Sequence, residues 1–194
     1  MVATGTWIAV LGAVACERAR AYQVACPAKD PRSYLMVALA IAVCAWAERA
    51  GFATASTPGV LAVAAVAAIT DVLSGYVFDR VLIAGACAAA VTGAIQGHAV
   101  DAAAGAAAGA AAVGIPWIAT LGRGIGAADV KFAAVLGCGL GVHGALEAVW
   151  YGFVTGAVAA AAAMLIGRRG IGSAMPFAPF LALGSALWVG GVAW

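Results

Sequence analysis

The sequence predicts an all-α fold: a polytopic membrane helix bundle of about eight transmembrane helices. Hydrophobic residues make up 65% of the 194 and charged residues only 9%, with a mean hydropathy of +1.06. A soluble domain covers its surface with roughly a quarter charged residues, so lipid rather than water must wet most of this one. The apolar residues fall into long runs between short polar breaks, and in hydrocarbon only a helix or a closed barrel satisfies every backbone N–H and C=O. The runs are Ala-rich and do not alternate with period two, which argues against a barrel. A net charge of +2 is too small to argue for a nucleic-acid partner.

Charged and Gly/Pro-rich breaks divide the chain into spans at about 4–16, 33–47, 58–71, 81–96, 101–121, 131–143, 147–166 and 175–194. Several fall short of the roughly 20 residues of a full crossing, so flanking loops must add a turn. Met1 to Cys16 has an apolar stretch but no positive start and no clear cleavage site, and reads as a retained span. The expected organisation is a single transmembrane domain over 1–194. Residues 1–57 supply N-terminal spans with a short loop, and 58–194 supply the chemical core.

The cations test the span count. Arg18, Arg20, Lys29 and Arg32 fall in the first loop, Arg80 in the third, Arg123 and Lys131 in the fifth, Arg168 and Arg169 in the seventh. Only Arg49 falls in an even loop. Positive residues concentrate on the cytoplasmic side, so the odd loops are expected in the cytoplasm and both termini outside.

Other features have structural explanations. Gly105 and Gly109 lie four apart in DAAAGAAAGAAAVGIPWIATL, a surface that lets helix backbones approach closely; packing within the bundle is favoured over a homodimer seam. Trp7, Trp150, Trp188 and Trp194 lie near span ends, where interfacial anchoring accounts for them. Cys16, Cys26, Cys44, Cys87 and Cys138 form no CxxC pair, which argues against a tetrathiolate zinc site and a disulfide framework.

An acidic group at membrane depth is costly and is a functional candidate by default. Glu17 and Asp30 sit among cations in the first loop, and Glu48, Asp101 and Glu147 fall at outer span ends, where solvation is sufficient. Asp71, Asp79 and Asp129 remain. Asp71 ends the run GVLAVAAVAAITD and Asp129 ends GRGIGAAD, both at cytoplasmic span ends and at roughly one depth. Two carboxylates that approach within a few ångströms cannot both ionise cheaply, so one keeps its proton. One then serves as general base on a water and the other as general acid. The residues leave a structural reading open beside this one: Asp129 as the N-cap of VKFAAVL, and Asp71 paired with Arg80.

Other hydrolytic chemistry fares worse. His98 and His143 fall in even loops, opposite these aspartates, and no serine is an obvious partner for them. There is no HExxH and no His/Cys zinc spacing, and the glycines at 122, 124 and 126 have neither a preceding strand nor a following GK[ST].

Three segments resemble the type IV prepilin peptidases, membrane aspartyl proteases of the GxGD class. AAITDVLSGYVFDRV (67–81) is similar to the family's IDLxTxxIPNxL, with Asp71 as the first catalytic aspartate; GIGAADVKFAAVLGCGLG (124–141) is similar to GxGxGDVKLxAxxGxxLG, with Asp129 as the second. MPFAPFLALGSALW (175–188) is similar to PFxPFLxxG at the start of the last helix. The resemblance implies a bacterial inner-membrane endopeptidase that removes the short basic leader of prepilins or pseudopilins at the cytoplasmic face. It implies no cofactor, and substrate or loop roles for Gly126, Ala128, Asp79 and Lys131. Lys131 would point roughly opposite Asp129 and snorkel to the interface, and Asp79 would orient its turn, meet a substrate lysine or stay solvated.

The sequence departs from the family pattern at two places in these motifs. Ala128 replaces the second glycine of GxGD, so its methyl would block a φ > 0 conformation or crowd the substrate; Phe78-Asp79 replaces Pro-Asn or Pro-Asp. The loop between the first two spans carries a solitary Cys26-Pro27 where full-length members have a zinc-binding N-methyltransferase domain, so neither methylation nor zinc is expected. Two other classes compete with the enzyme: a catalytically impaired scaffold or assembly factor derived from the peptidase, and a small transporter.

Overall fold

The computed structural model describes residues 57–167 and 175–191. The first two expected spans, the first loop with its cations and Cys26, Arg49, the Arg168–Arg169 pair and Trp194 lie outside the described residues. Within them every regular element is an α-helix: α1 (Thr57–Ser74), α2 (Asp79–Ile95), α3 (Ala99–Ala119), α4 (Ala127–Leu165) and α5 (Ala178–Val189). Two of these, α3 with 21 residues and α4 with 39, are long and apolar enough to cross a membrane.

Six spans are expected between 58 and 194, and five helices are observed among the described residues because the spans at 131–143 and 147–166 form the single element α4. The break expected at 144–146 is not there: those residues are helical, and the helix is interrupted instead at Gly141, with φ 73° and ψ −179°. Only glycine adopts that backbone readily. On a straight helix Asp129 and Ala160 would stand about 45 Å apart, yet both line one cleft. The chain therefore folds back at Gly141, giving an arm at 127–140 and a returning arm at 142–165. The GCGLGVHG stretch offers four glycines, and only Gly141 takes the positive φ.

The arms and helices run side by side in alternating directions. At one end Val60 of α1 packs against Gly139, and Leu61, Ala62, Leu140, Trp188 and Val189 form a cluster. At the other end lie the α1–α2 loop, the α3–α4 loop and the start of α5. The seam between α3 and the first arm of α4 is closed by glycine: a methyl on Gly105 would run into the carbonyl oxygen of Gly137, and one on Gly109 into that of Ala133. The small-residue stripe thus serves packing inside the bundle. Val63, Phe132, Leu136, Val113 and Leu181 fill the core.

Candidate active site

Asp71 lies one turn further inside its helix than the sequence suggested, since α1 continues to Ser74. Gly75, at φ 70°, then ends the helix and donates its N–H to the Asp71 carbonyl at 2.9 Å. The Asp71 side chain reaches across to α5, where Oδ2 accepts the Ala178 N–H at 3.1 Å. That N–H opens a helix and has no partner of its own within it. Ala178, rather than Arg80 as the structural reading had it, is the group that holds Asp71.

Asp129 is buried in the first turn of α4. It is not the N-cap; Gly126 is, with extended backbone at φ −80° and ψ 147°. Asp129 Oδ2 accepts the Gly126 N–H at 3.1 Å, and the Asp129 N–H donates to the Gly126 carbonyl at 3.0 Å. This reciprocal pair fixes the carboxylate over the helix start, where the dipole favours negative charge. Gly126 is needed for room: a methyl there would sit 3.2 Å from Asp129 Oδ2.

The two carboxylates open on one cleft of about 670 Å³, within electrostatic reach of each other. Its polar side also holds Arg123, Gly126 and Ala128. Ala128 is an ordinary helical residue, and Leu121 is the one non-glycine with positive φ among the described residues. The expected conflict over φ at 128 therefore does not arise, and the Ala128 methyl acts only as part of the wall. The rest of the lining includes aromatic and small residues: Phe153, Phe177 and Phe180 with Gly156 and Ala160. The rings of Phe153 and Phe177 lie 5.1 Å apart, a favourable tilted pair.

Asp79 and Lys131 do not line the cleft; they meet beside it. Lys131 Nζ donates to both Asp79 carboxylate oxygens at 2.9 Å. Both side chains stay exposed, as expected of a snorkelling lysine and an interfacial aspartate, and the structure adds that they pair with each other. Sequence reasoning also missed Ala178, Arg123 and Phe153. The PFAPF motif marked the start of α5, but nothing in it says which carboxylate caps that helix.

His98 and His143 stand at the far end of the bundle, as expected; His143 contacts Trp188 edge to face at 5.3 Å and lies 3.8 Å from Glu147. Among the described residues no group of three His, Cys, Asp or Glu is placed to hold a metal ion.

A search of curated proteins and a search of solved structures give no match. The model of the type IV leader peptidase family matches residues 59–161, a stretch that includes Asp71, Asp79, Gly126, Ala128, Asp129 and Lys131. With more than half of its length matched, and with paired carboxylates facing one cleft, the chain belongs to the type IV leader peptidase family, membrane-associated peptidases of the aspartic type.

Proposed function

We propose that this protein is a multi-pass membrane aspartyl endopeptidase of the bacterial inner membrane. It removes the short leader of type IV prepilins or pseudopilins at the cytoplasmic face. The observation that carries the reading is the opening of Asp71 and Asp129, from two separate helices, on one cleft. In each, Oδ2 accepts a backbone N–H at a helix start, which leaves Oδ1 for water and substrate.

Two such carboxylates share one proton. The ionised one takes a proton from water as the water oxygen attacks the scissile carbonyl. The protonated one gives its proton to the carbonyl oxygen. Collapse of the tetrahedral intermediate then expels the amine, which takes up a proton from the dyad. Gly75, Gly122, Gly124 and Gly126 on the cleft lining have no side chain, so an extended peptide backbone can approach closely at these positions.

Charge supports the orientation. The described cations Arg80, Arg123 and Lys131 gather at the cleft end of the bundle, and positive residues concentrate on the cytoplasmic side. Large apolar side chains such as Ile83, Val91, Trp150 and Val158 are exposed on the bundle's flanks, which suits a bilayer. The test is co-expression with a prepilin and a blot for leader removal. Asp71→Asn and Asp129→Asn are each expected to abolish cleavage; unimpaired cleavage in both would overturn the proposal.

A further inference from the structure

The Asp79–Lys131 pair lies outside the cleft, yet its position gives it work there. Asp79 is the first residue of α2, where an anionic side chain is favoured by the helix dipole. Lys131 belongs to the first turns of α4, two residues after Asp129. Positions two apart on a helix face away from each other. Asp129 is accordingly buried toward the cleft, while Lys131 projects outward with its side chain 56% exposed.

Between Asp71 and Asp79 the chain forms a short loop, and two of its residues, Gly75 and Val77, line the cleft. The loop is held at one end by α1, which carries Asp71. At its other end the Lys131–Asp79 bond ties it to α4, which carries Asp129. Among the described residues no other ion pair joins these two parts of the chain. Exposed pairs of this kind add little to folding stability. A two-oxygen, 2.9 Å contact across 52 residues nevertheless fixes register between the two segments.

We propose that Asp79 and Lys131 are positioning residues: their ion pair is a clasp that sets the spacing of the cleft wall against the helix start bearing Asp129. The assignment rests on the dyad reading above. Catalysis by paired carboxylates is steep in geometry, and a displacement of 1 Å costs on the order of a hundredfold in rate. Loosening the clasp acts on turnover more than on substrate affinity, because neither residue touches the cleft.

The test uses the full-length protein in detergent, with a prepilin substrate and purified variants. Asp79→Asn and Lys131→Met are each expected to lower kcat about tenfold, with KM changed less than twofold and the unfolding temperature unmoved. Asp79→Glu and Lys131→Arg, which keep both charges, should retain most of the wild-type kcat. Raised salt should lower the wild-type kcat toward that of the single variants and leave theirs unchanged.

A second readout needs no activity. Spin labels at Tyr76→Cys and Ala127→Cys, on a background with the five native cysteines replaced by alanine, report the separation of loop and helix. Their distance distribution should broaden in Asp79→Asn. Wild-type kcat in both single variants, a loss in Lys131→Arg as large as in Lys131→Met, or an unaltered distance distribution would each overturn the clasp. Unimpaired cleavage in both Asp71→Asn and Asp129→Asn would instead overturn the dyad reading, while the label distances would still report on the clasp.

Discussion

The Asp71 carboxylate, near the end of α1, accepts the Ala178 N–H that opens α5 at 3.1 Å, a bond across 107 residues. One side chain thus caps a helix it does not belong to and presents its remaining oxygen to the cleft. The two roles separate by substitution. Asparagine keeps an acceptor for the Ala178 N–H and loses the titratable group, whereas alanine loses both. Asp71→Asn should therefore abolish leader cleavage with the unfolding midpoint in detergent nearly unchanged. Asp71→Ala should abolish cleavage and also cost about 1 kcal/mol of stability.

A dyad that works with one proton predicts a bell-shaped pH dependence of kcat/KM on a prepilin peptide. At low pH the base is protonated and cannot accept a proton from water. At high pH the acid has lost the proton it must give. The two limbs belong to the pair and not to either residue. A profile with a single limb across the range in which the protein stays folded would point to chemistry by one carboxylate alone.

At Gly126 the requirement is space beside a neighbour's side chain. Its backbone is extended, which any residue adopts, but a methyl would sit 3.2 Å from Asp129 Oδ2. Gly126→Ala should shift that carboxylate by a few tenths of an ångström and lower kcat about tenfold. Stability should change by less than about 1 kcal/mol. Steady-state kinetics and thermal unfolding on the same preparation check both halves.

Ala128 sits in the first turn of α4, where alanine is the best helix former. Ala128→Gly should cost about 1 kcal/mol in stability and bring no large gain in leader removal, because the wild-type backbone there is already unstrained. Ala128→Leu should block the cleft and raise KM. A large gain in the glycine variant would show that the methyl obstructs the substrate.

These sites mark where the sequence could and could not be read. Apolar runs announced every described helix, because burial in lipid or core demands such runs. Cation parity placed Asp71 and Asp129 at the same end, since charge segregation depends on topology and not on packing. Partner choice was invisible. Ala178 for Asp71 and Lys131 for Asp79 are tertiary contacts across 107 and 52 residues, with no local signature. The N-cap alternative for Asp129 rests on how common Asp is at that position, but a glycine three residues earlier holds it and Asp129 is its reciprocal partner. The α4 turn was misplaced because four glycines within eight residues all permit it, and packing selects among them.

That selection yields the last prediction. At Gly141 the backbone lies where residues other than glycine pay about 1–3 kcal/mol, and a methyl would also meet the Asp101 carboxylate at 3.3 Å. Gly141→Ala should destabilise the fold by at least that amount. Because the turn brings Phe153 and Gly156 back beside Asp129, cleavage should fall even in the folded fraction. Gly124 offers the contrast: its Cβ direction is open and its φ is not in the left-handed region. Gly124→Ala should leave the unfolding midpoint within about 0.5 kcal/mol of wild type. Equal midpoints for the two variants would show that the fold-back at Gly141 is not what holds the second arm in place.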